Sequence, residues 1–399
     1  MSAPVFVAGL GVISAIGNNL AENLQSLVSE KAGIGSMKWL QSVHQQELSV
    51  GEVKFNNESL ASQTGISAKS PRTALLSAIA ACEALEDAGW NKTLSDRTGF
   101  ISANTVGGMD KTEIFFNSFV KNPAGGKLSD VVNHECGAIT ELVATLTGIH
   151  RFVSTVSTAC SSSANAIFTG ARLIKAGMLD FVLAGGADAL TKFTLNGFNT
   201  LMILDSGLCK PFDENRNGLN LGEGAAYVLL ASENGMRKLN KKPSVRLSGY
   251  ANANDAFHQT ASSADGTGSF LAMKQALESS GLKPQDIDYI NLHGTGTQNN
   301  DIAEGTAIQR LFNPVFPKMS STKAYTGHTL GASGAVEAVF SVLSIQNGII
   351  FPNLRLETPM KEFSFQPVTN CLQNQHINNV LSNSFGFGGN CSSLIFSAA

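Results

Sequence analysis

Apolar residues follow two different periods along this chain, and each change of period marks the start of a new element. The stretch "VFVAGLGVIS" (residues 5–14) is apolar almost throughout and predicts a strand entering a glycine-permitted turn; "RTALLSAIAACEALEDAGW" (72–90) has the spacing of an amphipathic helix. The same order restarts near residue 245. There "VRLSGYANAND" (245–255) matches the opening strand, and "SFLAMKQALESSGL" (269–282) predicts a helix closed by a left-handed glycine ahead of "IDYINLHGTGT". In the first half "RFVSTVSTACSSSANAIFTGARLIKAGML" runs from a short β-rich segment through Cys160 into a helix. In the second, "KAYTGHTLGASGAVEAVFSVLSIQNG" places His328 at a comparable join. A glycine-rich β-like segment follows each helix: "DFVLAGGADA" in one half, "VLSNSFGFGGNCSSLIF" in the other.

Strands this apolar, without polar alternation, are expected to be buried on both faces, with the Ala-rich helices packed between two sheets. The reading is α/β, residues 1–240 forming one half and 241–399 the other, and the repeated order points to five layers, α-β-α-β-α. Composition agrees. With 399 residues, 43% hydrophobic and 15% charged, the chain exceeds the usual size of a single core, so two closely joined halves are expected. A net charge of -3 with no dense Lys/Arg block argues against nucleic acid. No apolar stretch is long enough to span a bilayer, and "MSAPVFVAGLGVIS" lacks a basic leader, so a cytoplasmic, non-membrane protein is expected. The six cysteines, at 82, 136, 160, 209, 371 and 391, form no CxxC pair and imply no disulfide framework.

Chemistry enters at a few positions. Cys160 lies where a strand gives way to a helix, and the helix end is expected to lower its pKa and favour a thiolate that attacks a thioester. His293 in "NLHGTGTQNND" and His328 in "STKAYTGHTLGASG" sit beside glycines that let backbone approach a ligand, and imidazole donors there would stabilise a developing oxyanion. Lys323 and Glu304 are candidates to set the polarity of the pocket from second-half loops. Phe387, between glycines in "NSFGFGGN", can place a ring beside a cavity while neighbouring amides stay free. Asp213, Arg216 and Glu223 read as loop-holding residues. Without HExxH or an evident tetrahedral donor set, no metal is expected. On residues alone, a buried structural cysteine and ordinary turn histidines remain open alternatives.

Taken in order along nearly the whole chain, "GLGVIS", "STACSSS", "PFDENRNGLNLGEGA", "HGTGTQNND", "STKAYTGHTLGASG" and "NSFGFGG" resemble the landmarks of the thiolase-like β-ketoacyl-[acyl-carrier-protein] synthases, the elongating condensing enzymes of type II fatty-acid or polyketide synthesis. The resemblance implies the duplicated five-layer thiolase-like fold. It implies Cys160 as acyl acceptor, His293 and His328 as the histidines of decarboxylation and condensation, Lys323 as a polar organiser and Glu304 as acidic support. Phe387 falls at the acyl gate, and the amides of Cys160 and Phe387 at the oxyanion hole. No cofactor is implied. The implied partners are an acyl carrier protein bearing acyl and malonyl phosphopantetheine thioesters and a second subunit, in a homodimer or alternatively a heterodimer. Departures from relatives occur at Leu219 and Asn220, and at Asn390 and Cys391, where Thr-Asn is frequent; they leave chain length and pathway open. Two other functions fit the same landmarks: a CoA-dependent thiolase-like acyltransferase, and a non-catalytic chain-length partner in a heterodimeric synthase.

Overall fold

The computed structural model describes residues 3–399. Apart from a two-stranded pair at Gly35–Ser36 and Ser49–Val50, the strands form one ten-stranded sheet, and five of these come from the first half: β1 (Phe6–Ser14), β2 (Thr98–Ala103), β3 (Phe152–Val156), β4 (Phe181–Asp188) and β5 (Gly224–Ala231). Five come from the second: β6 (Val245–Asn254), β7 (Tyr289–Asn291), β8 (Lys318–Ser320), β9 (Asn379–Phe385) and β10 (Asn390–Ala398). They lie in the order β8-β7-β9-β10-β6-β1-β5-β4-β2-β3, and the two blocks meet through the pairing of Phe6 with Arg246. Counting outward from that junction, each block runs first, fifth, fourth, second, third strand of its half. The pairing senses match as well, antiparallel for the first two steps and parallel for the last two. The repeated element order thus corresponds to a duplicated topology.

Helices complete the layers. Outside the first block lies α1 (Arg72–Ala88), against β1, β5 and β4. Two helices, α2 (Met109–Lys121) and α4 (Lys192–Thr200), pack on each other. Outside the second block lie α5 (Thr267–Ser280) and α6 (Gln298–Phe312). Between the blocks run α3 (Ser162–Lys175) and α7 (Ser333–Asn347), each touching strands of both halves. This central position explains why most residues of α3 and α7, polar ones such as Ser163 and Ser341 included, are buried. Their crossing depends on small residues: a Cβ on Gly334 would come within 2.9 Å of both the nitrogen and the Cβ of Ala164. Ser163 Oγ accepts from the Ala335 amide at 2.9 Å at the same place. Because the helices cross near their N-termini, the segments just ahead of them, carrying Cys160 and His328, converge.

One expectation changes. "VFVAGLGVIS" does not turn at its glycines; β1 continues through Gly9 and Gly11. Those glycines admit α1 instead, since a Cβ would stand 2.2 Å from the Ala84 carbonyl oxygen at Gly9 and 2.0 Å from that of Ala80 at Gly11. Among the described residues no helix is long and apolar enough to cross a membrane.

Candidate active site

The turn between β3 and α3 holds Cys160 in an uncommon backbone conformation. Ala159, directly before it, has φ +53°, a left-handed geometry that costs a non-glycine residue on the order of 1–2 kcal/mol. The turn is fastened by the Thr158 amide donating to Ser162 Oγ at 2.7 Å. Strain beside a reactive side chain is typical of a nucleophile presented to a cavity. Cys160 is only 5% exposed, and its sulfur faces the backbone amides of Phe387 and of Cys160 itself.

Two buried histidines stand opposite. One ring nitrogen of His293, one of His328 and Cys160 Sγ all lie within 4.8 Å of one another. The imidazoles meet edge to face, 5.5 Å between centroids. Each has its Nδ1 occupied. His328 Nδ1 accepts from the Leu330 amide at 3.0 Å and lies 3.0 Å from Ser333 Oγ. His293 Nδ1 faces the Lys323 ammonium at 3.2 Å. An amide N–H and an ammonium only donate, so Nδ1 is the acceptor in both rings and the neutral tautomer carries its proton on Nε2. Burial holds both imidazoles well below the usual histidine range; Lys323 adds to this for both, and His328 adds to it for His293. The site therefore presents two neutral N–H donors beside a sulfur at neutral pH.

Lys323 Nζ also donates to the His293 carbonyl at 2.6 Å and pairs with Glu337. Glu337 was not among the residues picked out from sequence, although it left a signal: it is the one charged residue of α7, and an isolated acid on a buried helix needs a partner. Burial pushes its carboxyl up to about 7 against the pull of Lys323. Glu304 lies on α6, not on a loop, and accepts from the amides of His293 (2.9 Å) and Gly294 (2.8 Å) and from Asn383 Nδ2 (3.0 Å). It thus fixes the backbone of the histidine turn. Burial raises its carboxyl to about 7, opposed by those three donors. The departure residue Asn220 is buried behind His328, its carbonyl accepting the His328 amide at 2.8 Å. Asp213 accepts the amides of Asn215, Glu357 and Thr358, and Glu223 forms a buried pair with Arg72, so both hold loops as expected.

Phe387 stacks on Phe198, centroids 5.6 Å apart. The two rings and Cys160 line two cavities at once. One, of about 230 Å³, contains both histidines, Thr295 and Thr297; the other, of about 190 Å³, is walled by apolar side chains including Val106, Met109, Phe193 and Leu330. The sequence did not single out Phe198.

The expectation of a lowered cysteine pKa is not met. Burial pushes the Cys160 thiol up to about 11, outweighing Lys323 and the Phe387 amide, which pull it down. Cys160 precedes the helix cap, Ser161, so the helix end does not reverse the loss of solvent. Two consequences follow for pH. Alkylation of Cys160 by iodoacetamide should climb roughly tenfold per unit, about 100-fold between about pH 7 and about pH 9, because the thiolate is a minor species throughout. No histidine step should interrupt the rise, since both imidazoles stay neutral across that window. Site-resolved mass spectrometry of the alkylated peptide checks this; a plateau below about pH 8 would contradict it.

Family models match two stretches: Beta-ketoacyl synthase, N-terminal domain, over residues 2–235, and Beta-ketoacyl synthase, C-terminal domain, over 245–357. The chain is 31% identical over 404 residues to 3-oxoacyl-[acyl-carrier-protein] synthase 2 of Staphylococcus aureus (strain COL), covering 98% of this chain and 97% of the relative. Among solved structures, the ishigamide ketosynthase/chain length factor superposes with a TM-score of 0.94 at 26% identity, covering all of both chains. A chain from the structure of a ketosynthase of Xenorhabdus doucetiae in complex with its chain length factor gives a TM-score of 0.84 at 30% identity, over 100% of this chain and 98% of that one.

Proposed function

The chain belongs to the beta-ketoacyl synthase family, and on that premise we propose that it condenses an acyl group held on Cys160 with malonyl-[acyl-carrier-protein], with loss of carbon dioxide, to give a 3-oxoacyl-[acyl-carrier-protein]. The observation that carries this reading is the convergence of Cys160 Sγ with two neutral imidazoles whose Nδ1 positions are both occupied. In loading, the Cys160 thiolate attacks the acyl carbon of an acyl-carrier thioester. A new S–C bond forms, the carrier sulfur leaves with the thiol proton, and the amides of Cys160 and Phe387 hold the transient oxyanion. A thiolate of such high basicity is scarce but strongly nucleophilic once formed.

Malonyl-carrier then enters. Its C–C bond to the carboxylate breaks, carbon dioxide departs, and the electron pair becomes an enolate whose oxygen accepts from Nε2–H of His293 and His328. The enolate carbon attacks acyl-Cys160, the C–S bond breaks, and the sulfur leaves as a thiolate that takes up a proton from solvent. Both histidines act as donors here, since neither has a free basic nitrogen. Lys323, paired with Glu337, keeps His293 in the required tautomer, and Glu304 holds the turn that carries it. Phe387, stacked on Phe198 between the two cavities, serves as the acyl gate. Burial excludes water from two thioester stages that would otherwise hydrolyse.

The carrier and the second subunit complete the proposal. Ile114, Phe116 and Val120 on α2 are 54%, 58% and 64% exposed, and β3 leaves one edge unpaired at the end of its sheet, so the chain offers both an apolar surface and an open edge to a chain of the same fold. The resemblance favours a homodimer; a companion chain-length subunit is the second arrangement, and it is the one in which the Xenorhabdus ketosynthase pairs with its chain length factor. Incubating the protein with acyl-carrier or acyl-CoA at matched concentrations should give acyl-Cys160 predominantly from the carrier. Equal or greater loading from acyl-CoA would replace this reading with a CoA-dependent acyltransferase. Molar mass in solution separates a dimer from a monomer that needs a companion.

A further inference from the structure

Asn390 is the first residue of β10 and follows directly on the Phe387–Gly389 turn. Its backbone carbonyl closes that turn by accepting the Gly386 amide at 2.9 Å. Its side chain reaches across to the other half. Asn390 Oδ1 accepts from Ser161 Oγ at 2.7 Å, from Asn165 Nδ2 at 2.9 Å and from Asn252 Nδ2 at 2.8 Å. Ser161 is the neighbour of Cys160, Asn165 lies one turn further along α3, and Asn252 lies on β6. The donors are themselves tied down. Asn165 Nδ2 also bonds Thr158 Oγ1 at 2.8 Å, Asn165 Oδ1 accepts from Ser392 Oγ at 2.5 Å, and Asn252 Nδ2 donates to Ser392 Oγ at 2.8 Å.

The turn so anchored has little stiffness of its own. Gly388 and Gly389 sit at φ +77° and +76°, and glycine resists displacement less than any other residue. Yet it carries the Phe387 amide that faces Cys160 Sγ, and it is pressed close: a Cβ on Gly386 would stand 3.0 Å from the Thr158 carbonyl oxygen and 3.1 Å from the Cys160 nitrogen. Two amides can share one oxyanion only if the second-half turn and the first-half turn keep register within a fraction of an ångström. We propose that Asn390 is a positioning residue for acyl transfer, holding the Phe387 amide in register with Cys160 through its bonds to Ser161 and Asn165, the nucleophile turn and the helix it starts, while Asn252 braces the same oxygen from β6. The inference rests on the functional reading above. It concerns one of the two residues at which "GFGGNC" departs from the ending the family resemblance implies.

A purely stabilising role for Asn390 makes a different prediction, and two reactions of the same sulfur tell them apart. Alkylation by iodoacetamide needs an accessible thiolate; acyl loading from a carrier thioester needs the thiolate and the oxyanion amides. Their ratio cancels the thiolate fraction, and taking both rates well below the melting temperature of each variant keeps alkylation of unfolded chains out of it. In N390A the ratio of loading to alkylation should fall about 10- to 100-fold, the scale on which a displaced oxyanion donor or a small misplacement acts. KM for the acyl-carrier should stay within about threefold, since substrate binding is not what is lost. A ratio within about twofold of wild type, however far the melting temperature falls, overturns the proposal. If N390A does not fold, N390S replaces it: serine keeps a hydroxyl but is too short to meet all three donors, and the ratio should still fall at least about fivefold. An unchanged ratio in N390S is equally contradictory. Wild-type protein that alkylates but takes no acyl group from any carrier thioester overturns the functional reading and this inference with it. A wild type that loads, beside a variant with an unchanged ratio, overturns the inference alone.

Discussion

Cys160→Ala is expected to abolish acyl loading, by about a million-fold, the scale on which loss of a nucleophile disables an enzyme whose site otherwise stays intact. The fold should survive. Cys160 is buried among Ala159, Ser161 and Ser162, and the replacement removes one sulfur atom without introducing a polar group or a larger side chain. The turn is held by Thr158, Ser162 and the Asn390 network, none of which uses the sulfur. Intact-protein mass spectrometry after incubation with acyl-carrier reads the result. An adduct of equal mass and extent on C160A and wild type would remove Cys160 as the acyl acceptor.

His293→Ala is expected to divide the reaction. Decarboxylation and condensation should slow about 10²- to 10³-fold, the cost of one oxyanion donor, while loading should stay within about tenfold. The division follows from which groups serve which oxygen: the amides of Cys160 and Phe387 face the sulfur, and the imidazole N–H groups are the donors left for the enolate. The variant does not strand a buried charge, because Lys323 keeps both its pair with Glu337 and its bond to the backbone carbonyl at position 293. A time course resolving acyl-enzyme, decarboxylated carrier and extended product distinguishes the steps. Slow loading followed by decarboxylation and condensation at wild-type rates would show that the role given to His293 is wrong.

The nucleophile and the histidines were legible because each sits in a glycine- or serine-rich turn that interrupts an apolar run. The repeat was legible because apolar strands and Ala-rich helices recur in the same order. Other features depend on contacts that have no local pattern. Strands β7 and β8 are three residues long, too short for any period to register. The glycines of β1 read as a turn because glycine frees the backbone, and the structure uses them for lack of bulk beneath α1. Glu337 lies on the same helix that follows His328 but acts on His293 through Lys323, a link that exists only once three separate segments of the second half pack together. The raised pKa of Cys160 likewise reflects burial by both halves together; the helix start alone pointed the other way. Asn390 read only as a departure at the end of a motif, because the bonds its oxygen accepts come from Ser161, Asn165 and Asn252, distant in the sequence.

The central claim is that acyl-Cys160 accepts a two-carbon unit from malonyl-carrier with loss of carbon dioxide. It is tested most directly by the mass of the carrier-bound product after wild-type protein, acyl-carrier and malonyl-carrier are combined, the protein being supplied with a companion subunit if it proves to be a monomer. The account predicts a 3-oxoacyl-carrier longer than the starting acyl group by two carbons, formed with one carbon dioxide per product and absent when C160A replaces the wild type. Carrier that returns only decarboxylated or unchanged, with acyl-Cys160 fully formed and no extended product from any acyl length supplied, would contradict it.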